Sequence, residues 1–285
     1  MRLKKYFIVL LTCCLGAAAC KNDTKQSNTG EPVSLTFNFQ PGSTYEYILD
    51  NKLALQSDIN GNTLTIMQDM KIMSAYDVIN NTGKNKNIEV TYNRITMRSG
   101  NGIINREFDS DDTTSNDPIF SHVRDLVNKP FGITVSELGN ITQVRGFGNN
   151  NADQDILGDS SIRKMMVQCL SVYPAAAVKP GDSWKRDVSS SVGFIHMRLN
   201  STYTLNTINK GIAYIDVLSR ITPEDTTAGI GFTGSQKGKL EMDIASGLIL
   251  QGNITQDLEG QLPMAGRLTP VKATSEINIF GSKKQ

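Results

Sequence analysis

Three short stretches of this 285-residue sequence carry residue types that could do chemistry. The first, Ser161-Ile162-Arg163-Lys164, matches S-x-x-K, in which a lysine one helical turn away activates a serine nucleophile. The partner motifs S-D-N and K-T-G are absent, as are a G-x-S-x-G elbow and a phosphate-binding G-x-x-x-x-G-K-S/T loop. A helix start with a solvated lysine is the favoured interpretation. We therefore predict no catalytic residue and no cofactor.

The second stretch is acidic and could supply oxygen ligands for calcium. It is DSDDTTSND, from Asp109 to Asp117, and it lacks the glycine and the terminal glutamate of an EF-hand loop. A solvated loop is the favoured interpretation, with Asp109, Asp111 and Asp112 as weak calcium candidates. The two histidines have no second histidine or cysteine at ligand spacing, so we predict no zinc site.

The third stretch surrounds Cys20 and indicates export. A basic start, an apolar run too short to span a bilayer and four small residues precede the cysteine: Arg2, Lys4 and Lys5, then Tyr6 to Leu15, then Gly16 to Ala19. This order is typical of a bacterial lipoprotein signal, in which Cys20 carries the lipid. An ordinary secretory signal is the alternative, because Ala17-Ala18-Ala19 is also an A-x-A cleavage site.

The remaining cysteines and the net charge limit which kinds of partner the protein is expected to bind. Cys13 and Cys14 lie in the signal, and Cys169 is left without a disulfide partner. The chain carries 29 basic and 28 acidic residues, which does not indicate nucleic-acid binding. We predict an exported protein anchored by lipid to the outer membrane, on its periplasmic or its surface face. An apolar ligand or an envelope protein is the expected further partner.

Most of the chain alternates apolar and polar residues, which predicts antiparallel strands with one buried face. The clearest stretch runs from Ile195 to Asn206, where Met197, Leu199, Tyr203 and Leu205 share one face. The expected fold class is therefore mostly β with some α, and strands supply the core.

Two stretches depart from this alternation and predict helices. A shorter helix is expected at about 117–129, where Pro118 suits the first turn. A longer amphipathic helix is expected at about 161–173, because its apolar residues recur at helical spacing up to Pro174. Met165, Met166 and Tyr173 lie on that apolar stripe and are weak candidates for ligand binding.

Similar landmarks before and after the longer helix predict an internal duplication. Pro41-Gly42 and Pro180-Gly181 each lead into a strand that begins with a large aromatic, and each half later reads as a hairpin with a glycine turn. We expect two similar curved sheets. The predicted divisions are a signal peptide (1–19), a tether (20–32), a first β half (33–148), a connecting helix region (149–178) and a second β half (179–285).

The motifs resemble an uncharacterised family of Bacteroidota lipoproteins, a domain-of-unknown-function family. They are the signal ending at Cys20, a G-x-x-Y-x-Y strand (Gly42, Tyr45, Tyr47), a G-D-S-W turn (Gly181 to Trp184) and a D-x-x-S/T-G hairpin (Asp243, Ser246, Gly247). The resemblance implies a fold and brings no activity with it.

The sequence favours a membrane-anchored, non-enzymatic binding or structural module of the cell envelope. The alternative is a carrier that holds a lipid or another apolar ligand inside its concave sheets. An enzyme of unrecognised type is the third hypothesis. A filled sheet interior would favour the first, and a pocket of about 300 Å³ or more would favour the carrier.

Overall fold

The computed structural model describes residues 30–59, 61–101, 104–114, 120–146, 170–192, 195–224, 230–264 and 267–284. The elements in chain order are β1 (Thr44–Ile59), β2 (Asn62–Thr82), β3 (Asn85–Gly100), β4 (Asn105–Asp109), α1 (Ser121–Leu126), β5 (Phe131–Val135), β6 (Ile141–Arg145), β7 (Ser183–Val192), β8 (Ile195–Asn209), β9 (Ile212–Pro223), β10 (Gly231–Asp243), β11 (Ile249–Met264) and β12 (Arg267–Lys283). The predicted signal peptide, Cys20 and most of the tether lie outside the described residues.

All twelve strands form one antiparallel sheet, so the prediction of two separate sheets is wrong. Its order is β6-β5-β3-β2-β1-β12-β11-β10-β9-β8-β7, with β4 beside β3. The two halves are continuous because β1 pairs with β12 from Tyr45↔Lys283 to Ser57↔Val271. Alternation along a strand shows which face is buried, but it does not show which strands are neighbours.

Each half of the sheet nevertheless contains a five-stranded meander. The meanders are β1-β2-β3-β5-β6 and β7-β8-β9-β10-β11, and they follow the same order across the sheet. Glycines with positive φ precede equivalent strands: Gly42 (+73°) and Gly181 (+95°) before β1 and β7, Gly139 (+75°) and Gly247 (+74°) before β6 and β11. A duplication would produce this arrangement, and the duplication itself stays a hypothesis.

The predicted helices are the second correction. α1 covers only six residues, because the chain is extended at Val127, where it forms an isolated bridge with Tyr92. The expected long helix is wrong in the described part of its range: only Leu170 is helical there, Ser171 and Val172 form a turn after it, and residues 161–169 lie outside the described residues. Pro174 disfavours helical backbone at the residue before it. No helix among the described residues is long and apolar enough to cross a membrane.

The buried face of the sheet is concave. The backbone N–H groups of Phe37 and Asn38 donate to Glu137 O and Ser246 O, both at 2.8 Å. These two acceptors lie in the β5–β6 and β10–β11 turns, which would be about 24 Å apart in a flat sheet. Because Phe37 and Asn38 are consecutive residues and each bonds to one of these turns, the two turns must lie close together. The sheet therefore curls around residues 33–39. We call this region, together with residues 170–178, the packed end.

Candidate binding cavity in the concave face

The packed end is filled by aromatic side chains from the segment that precedes β1. Phe37 and Phe39 are fully buried, with ring centroids 4.3 Å apart, and Phe39 stacks on Tyr45 at 3.8 Å. The segment forms only an isolated bridge, from Val33 to Val178, and is not a strand of the sheet. The alternating apolar side chains of this segment therefore fill the space inside the concave face at the packed end.

Tyr173 closes the packed end between two turns. Its hydroxyl donates to Gly247 O at 2.8 Å. A Cβ at Gly139 would lie 2.9 Å from the Tyr173 ring, and one at Gly247 would lie 3.1 Å from it, so glycines allow both turns to approach the ring. Complete burial raises the pKa of Tyr173 well above its usual range. This ligand candidate thus lies in the packed core, and Met165 and Met166 lie outside the described residues.

Side chains of β7 hold the chain that carries Tyr173. Trp184 Nε1 donates to Val172 O at 2.8 Å, and Arg186 donates to Ser171 O at 3.3 Å and to Asn140 Oδ1 at 2.6 Å. Because Asn140 precedes β6, Arg186 links the two edge strands of the sheet. Trp184 also stacks on Tyr203 across the β7–β8 ladder, with centroids 5.6 Å apart.

An apolar cavity lies beside the packed end on the concave face. It encloses about 50 Å³ and reaches about 540 Å³ when the open space at its mouth is included. Three tyrosines, several aliphatic side chains and one serine line it: Tyr47, Leu49, Ile72, Ser74, Tyr76, Tyr92, Leu170, Ile249 and Ile279. Its lining comes from β1, β2, β3, β11, β12 and the end of the connecting region.

The lining determines what the cavity can do. Tyr47 and Tyr76 meet edge to face at 5.2 Å, and Tyr92 packs against Phe131 at 5.5 Å, which leaves a preformed aromatic wall. No carboxylate, histidine, lysine or arginine is among the lining residues. The described cavity therefore offers mainly apolar and aromatic contact.

Sequence reasoning did not assign a ligand role to these tyrosines. Tyr47 belongs to the G-x-x-Y-x-Y motif, which was interpreted as a strand signal. Tyr76 and Tyr92 lie on the neighbouring strands and reach the same place because β2 pairs with both β1 and β3. An aromatic cluster on one face was the available signal, and strand pairing was needed to see it.

The calcium candidates are placed together, but an arginine lies among them. Arg94 donates to both carboxylate oxygens of Asp109, at 3.1 and 2.6 Å, and its Nε lies 3.2 Å from Asp111. The hydrogen bond from Arg94 lowers the pKa of Asp109. Asp112 Oδ1 accepts from the backbone N–H of Thr114 at 2.8 Å. These contacts engage carboxylate oxygens of Asp109, Asp111 and Asp112 with groups of the protein, and calcium binding at the loop stays a prediction.

The two histidines lie on different elements of the described structure. His122 lies on α1 and His196 on β8, whereas Ser161, Lys164 and Cys169 lie outside the described residues. Within the described parts of the chain, no three histidine, cysteine, aspartate or glutamate side chains are placed to hold a metal ion.

Comparison with protein families identifies the chain. A family of unknown function, DUF6263, matches residues 83–154 and 150–249, together more than half of the sequence. The chain belongs to this family. A search of curated proteins by sequence gave no match. Family membership agrees with the expected uncharacterised family and carries no activity.

Solved structures show what the fold is similar to. A lipovitellin structure, described for its lipid–protein interactions, aligns with a TM-score of 0.51 and 10% identity. The alignment covers 86% of this chain, which spans only 25% of the lipovitellin chain. An outer membrane channel from Pseudomonas putida F1 aligns at 9% identity, over 89% of this chain and 100% of its own, with a TM-score of 0.22. OccK2 (OpdF) of Pseudomonas aeruginosa in complex with glucuronate aligns at 9% identity, 85% and 98% coverage, and a TM-score of 0.20. Only the first score indicates a shared fold.

Proposed function

We propose that this protein is a non-enzymatic binding protein of the cell envelope, and that its concave face takes up a lipid or another apolar molecule. The observation that carries the proposal is the aromatic-walled cavity between β1, β2, β3 and the central strands. Small-molecule sites are typically concave, mostly apolar and largely preformed. The lining is concave and mostly apolar, and it contains no carboxylate, histidine, lysine or arginine side chain.

The size of the cavity determines how a ligand must lie. The enclosed 50 Å³ is well below the roughly 300 Å³ of a typical ligand site, so the cavity alone cannot hold a lipid. A lipid-sized molecule must therefore place one end in the cavity and extend along the concave face. Half-buried apolar side chains continue from the cavity in that direction on β1 and β2: Leu53, Leu55, Leu64, Ile66 and Met70.

The fold and the sequence supply independent support. Lipid–protein interactions are described for lipovitellin, which shares this fold. The signal ending at Cys20 would anchor the chain to a membrane, so that the binding face lies close to a source of lipid. The proposed location is the outer membrane, and the proposed anchor is the acylated Cys20.

A cavity-filling variant tests the proposal directly. Ser74 is buried in the cavity wall, and Ala75 is the next residue, on the opposite face of β2. Ser74→Leu should lower the affinity for the neutral fluorescent probe N-phenyl-1-naphthylamine at least about tenfold, since the added methyl groups occupy the apolar space. Ala75→Leu is the matched control and should bind like the wild type. Equal binding by both variants, with equal melting temperatures, would overturn the assignment of the site.

A second function is favoured by a specific observation, the filled packed end. If the interior holds no ligand, the chain is a structural or partner-binding module of the envelope. Native mass spectrometry of protein purified from its own membrane distinguishes the two functions. A co-purifying mass of lipid size supports the binding protein, whereas a clean apo mass together with no probe binding supports the module.

A further inference from the structure

A row of polar side chains crosses the concave face of the sheet, at positions where the alternating pattern of each strand would place an apolar side chain. Six polar residues on six strands are aligned in cross-strand register, with Leu53 between the first and the second: Gln68, Ser275, Gln256, Gln236, Ser219 and Ser201. We call these six residues the polar row. Leu55, Ala273 and Leu258 form an apolar row on one side of it, and Ile277 and Ile254 lie on the other.

Hydrogen bonds connect most of the polar row. Ser201 and Ser219 share a bond of 2.8 Å, Gln236 donates to Ser219 Oγ at 3.4 Å, and Gln256 donates to Gln236 Oε1 at 2.7 Å. Ser275 donates to Asn51 Oδ1 at 2.7 Å. Buried polar groups are tolerated when they are bonded in this way, but aliphatic side chains would fill the same positions at least as well. Stability alone therefore does not account for the row.

Part of the polar row is open to the concave face. The side-chain amides of Gln68, Gln256 and the neighbouring Asn51 are half-buried, whereas Ser201, Ser219 and Gln236 are buried. Within the described residues, the Gln68 amide makes no hydrogen bond, and Gln256 uses only one of its donors. Each amide can offer both a donor and an acceptor to a molecule that lies across the concave face from β2 to β11.

The charge of the row restricts what that molecule can be. All six members are uncharged. Beyond the ends of the row, the register reaches Arg186 on β7, which is bonded to Asn140 and Ser171, and, past Ser99 on β3, the exposed Arg106 on β4. Between these ends, a carboxylate or phosphate group on the row would lose its hydration with no cation beside it. A neutral ester or hydroxyl group would exchange its hydrogen bonds to water for bonds to the amides.

The distance to the cavity fixes the arrangement of the ligand. Leu49 lines the cavity, and Leu53 lies in register with the polar row, four residues further along β1. The cavity and the polar row are therefore about 13 Å apart along the strand. We propose that the ligand is an uncharged amphiphile such as an acylglycerol, with an acyl chain in the aromatic cavity and its ester and hydroxyl groups on the polar row. This inference rests on the proposed function and specifies its ligand class.

Competition between two lipids with the same acyl chain tests the inference. Monoolein and ionised oleate are used at pH 8 to displace N-phenyl-1-naphthylamine from the whole protein. The wild type should prefer monoolein about tenfold, as expected for two hydrogen bonds to the amides. In Gln68→Leu/Gln256→Leu the preference should fall to about one, while binding of the apolar probe is retained.

The matched control changes two glutamines that point away from the polar row, on the convex face of the same sheet. Gln56 and Gln251 are exposed on β1 and β11, so Gln56→Leu/Gln251→Leu should keep the wild-type preference. An unchanged preference in the inward double variant, or wild-type protein that binds oleate as well as monoolein, would overturn the inference and leave the proposed function standing. Failure of the wild type to bind the apolar probe would overturn both. A purely structural role of the row would change the melting temperature without changing the ratio of the two affinities.

Discussion

The contact between Tyr173 and the two glycine turns makes a stability prediction that has its control within the chain. Gly139 and Gly42 have nearly the same backbone conformation, with φ of +75° and +73°. A Cβ at Gly139 would lie 1.7 Å from Leu170 O and 2.9 Å from the Tyr173 ring, whereas a Cβ at Gly42 would meet nothing within 4 Å. Gly139→Ala and Gly42→Ala therefore share a backbone strain and differ in steric clash.

The magnitudes follow from these two effects. A left-handed conformation costs an alanine about 1–2 kcal/mol, and the lower entropy of the unfolded chain returns about 0.4–1 kcal/mol. Gly42→Ala should therefore lower the free energy of unfolding by about 1 kcal/mol. Gly139→Ala must also displace Leu170 or the turn, and overpacking of this kind typically adds about 1–3 kcal/mol. The expected total for Gly139→Ala is about 2–4 kcal/mol.

Urea unfolding and thermal unfolding, both followed by far-ultraviolet circular dichroism, measure the free energies of unfolding and the melting temperatures of the two variants. At about 2–4 °C per kcal/mol, Gly42→Ala should lower the melting temperature by about 2–4 °C, and Gly139→Ala by at least twice as much. Gly247→Ala should resemble Gly139→Ala, because its Cβ would lie 2.0 Å from Thr36 O. Equal losses at positions 42 and 139 would refute the close packing of the turns on Tyr173.

Three further predictions concern the anchor, the buried phenol and the acidic loop. Cys20→Ala should move the protein from the membrane pellet to the soluble envelope fraction, and wild-type protein with an unmodified Cys20 in its N-terminal peptide would contradict the anchor. Tyr173→Phe should cost about 1–3 kcal/mol, because Gly247 O loses its donor. Since the pKa of Tyr173 is raised on folding, its contribution is complete below about pH 10 and is lost above it; the urea midpoint of the wild type should thus fall more steeply than that of Tyr173→Phe at higher pH. Calcium should leave the melting temperature unchanged, since Arg94 occupies the oxygens of Asp109; a rise of several degrees would show a site there.

The sequence predicted the faces of strands better than their neighbours. Leu199, Tyr203 and Leu205 are buried on one face of β8, as the alternation indicated. Leu35, Phe37 and Phe39 alternate with polar residues in the same way, yet their segment forms only an isolated bridge and lies outside the sheet. Alternation reports one buried face, and a ladder additionally requires a partner that is distant in sequence.

The candidate site was harder to predict because its residues meet only through pairing. Tyr173 was expected on the apolar stripe of a helix, whereas the structure buries it outside any helix. The two turns that enclose it begin more than thirty residues before it and seventy after it in the chain. The polar row was not recognisable either, since Gln236 and Ser219 each look like an isolated polar residue in a strand. Only the register places them side by side.

The pairing of β1 with β12 also has a consequence for biosynthesis. β12 follows every other described strand in the sequence and is the central strand of the sheet, so β1 has no second neighbour until Arg267 and the residues after it have been synthesised. At 5–20 residues per second this delay is roughly 10–45 s, during which one edge of β1 offers unpaired backbone groups to other chains. Export in an unfolded state, or protection by a chaperone, would cover that interval. In a variant truncated before Arg267, the edge of β1 would stay unpaired, so the two meanders should aggregate.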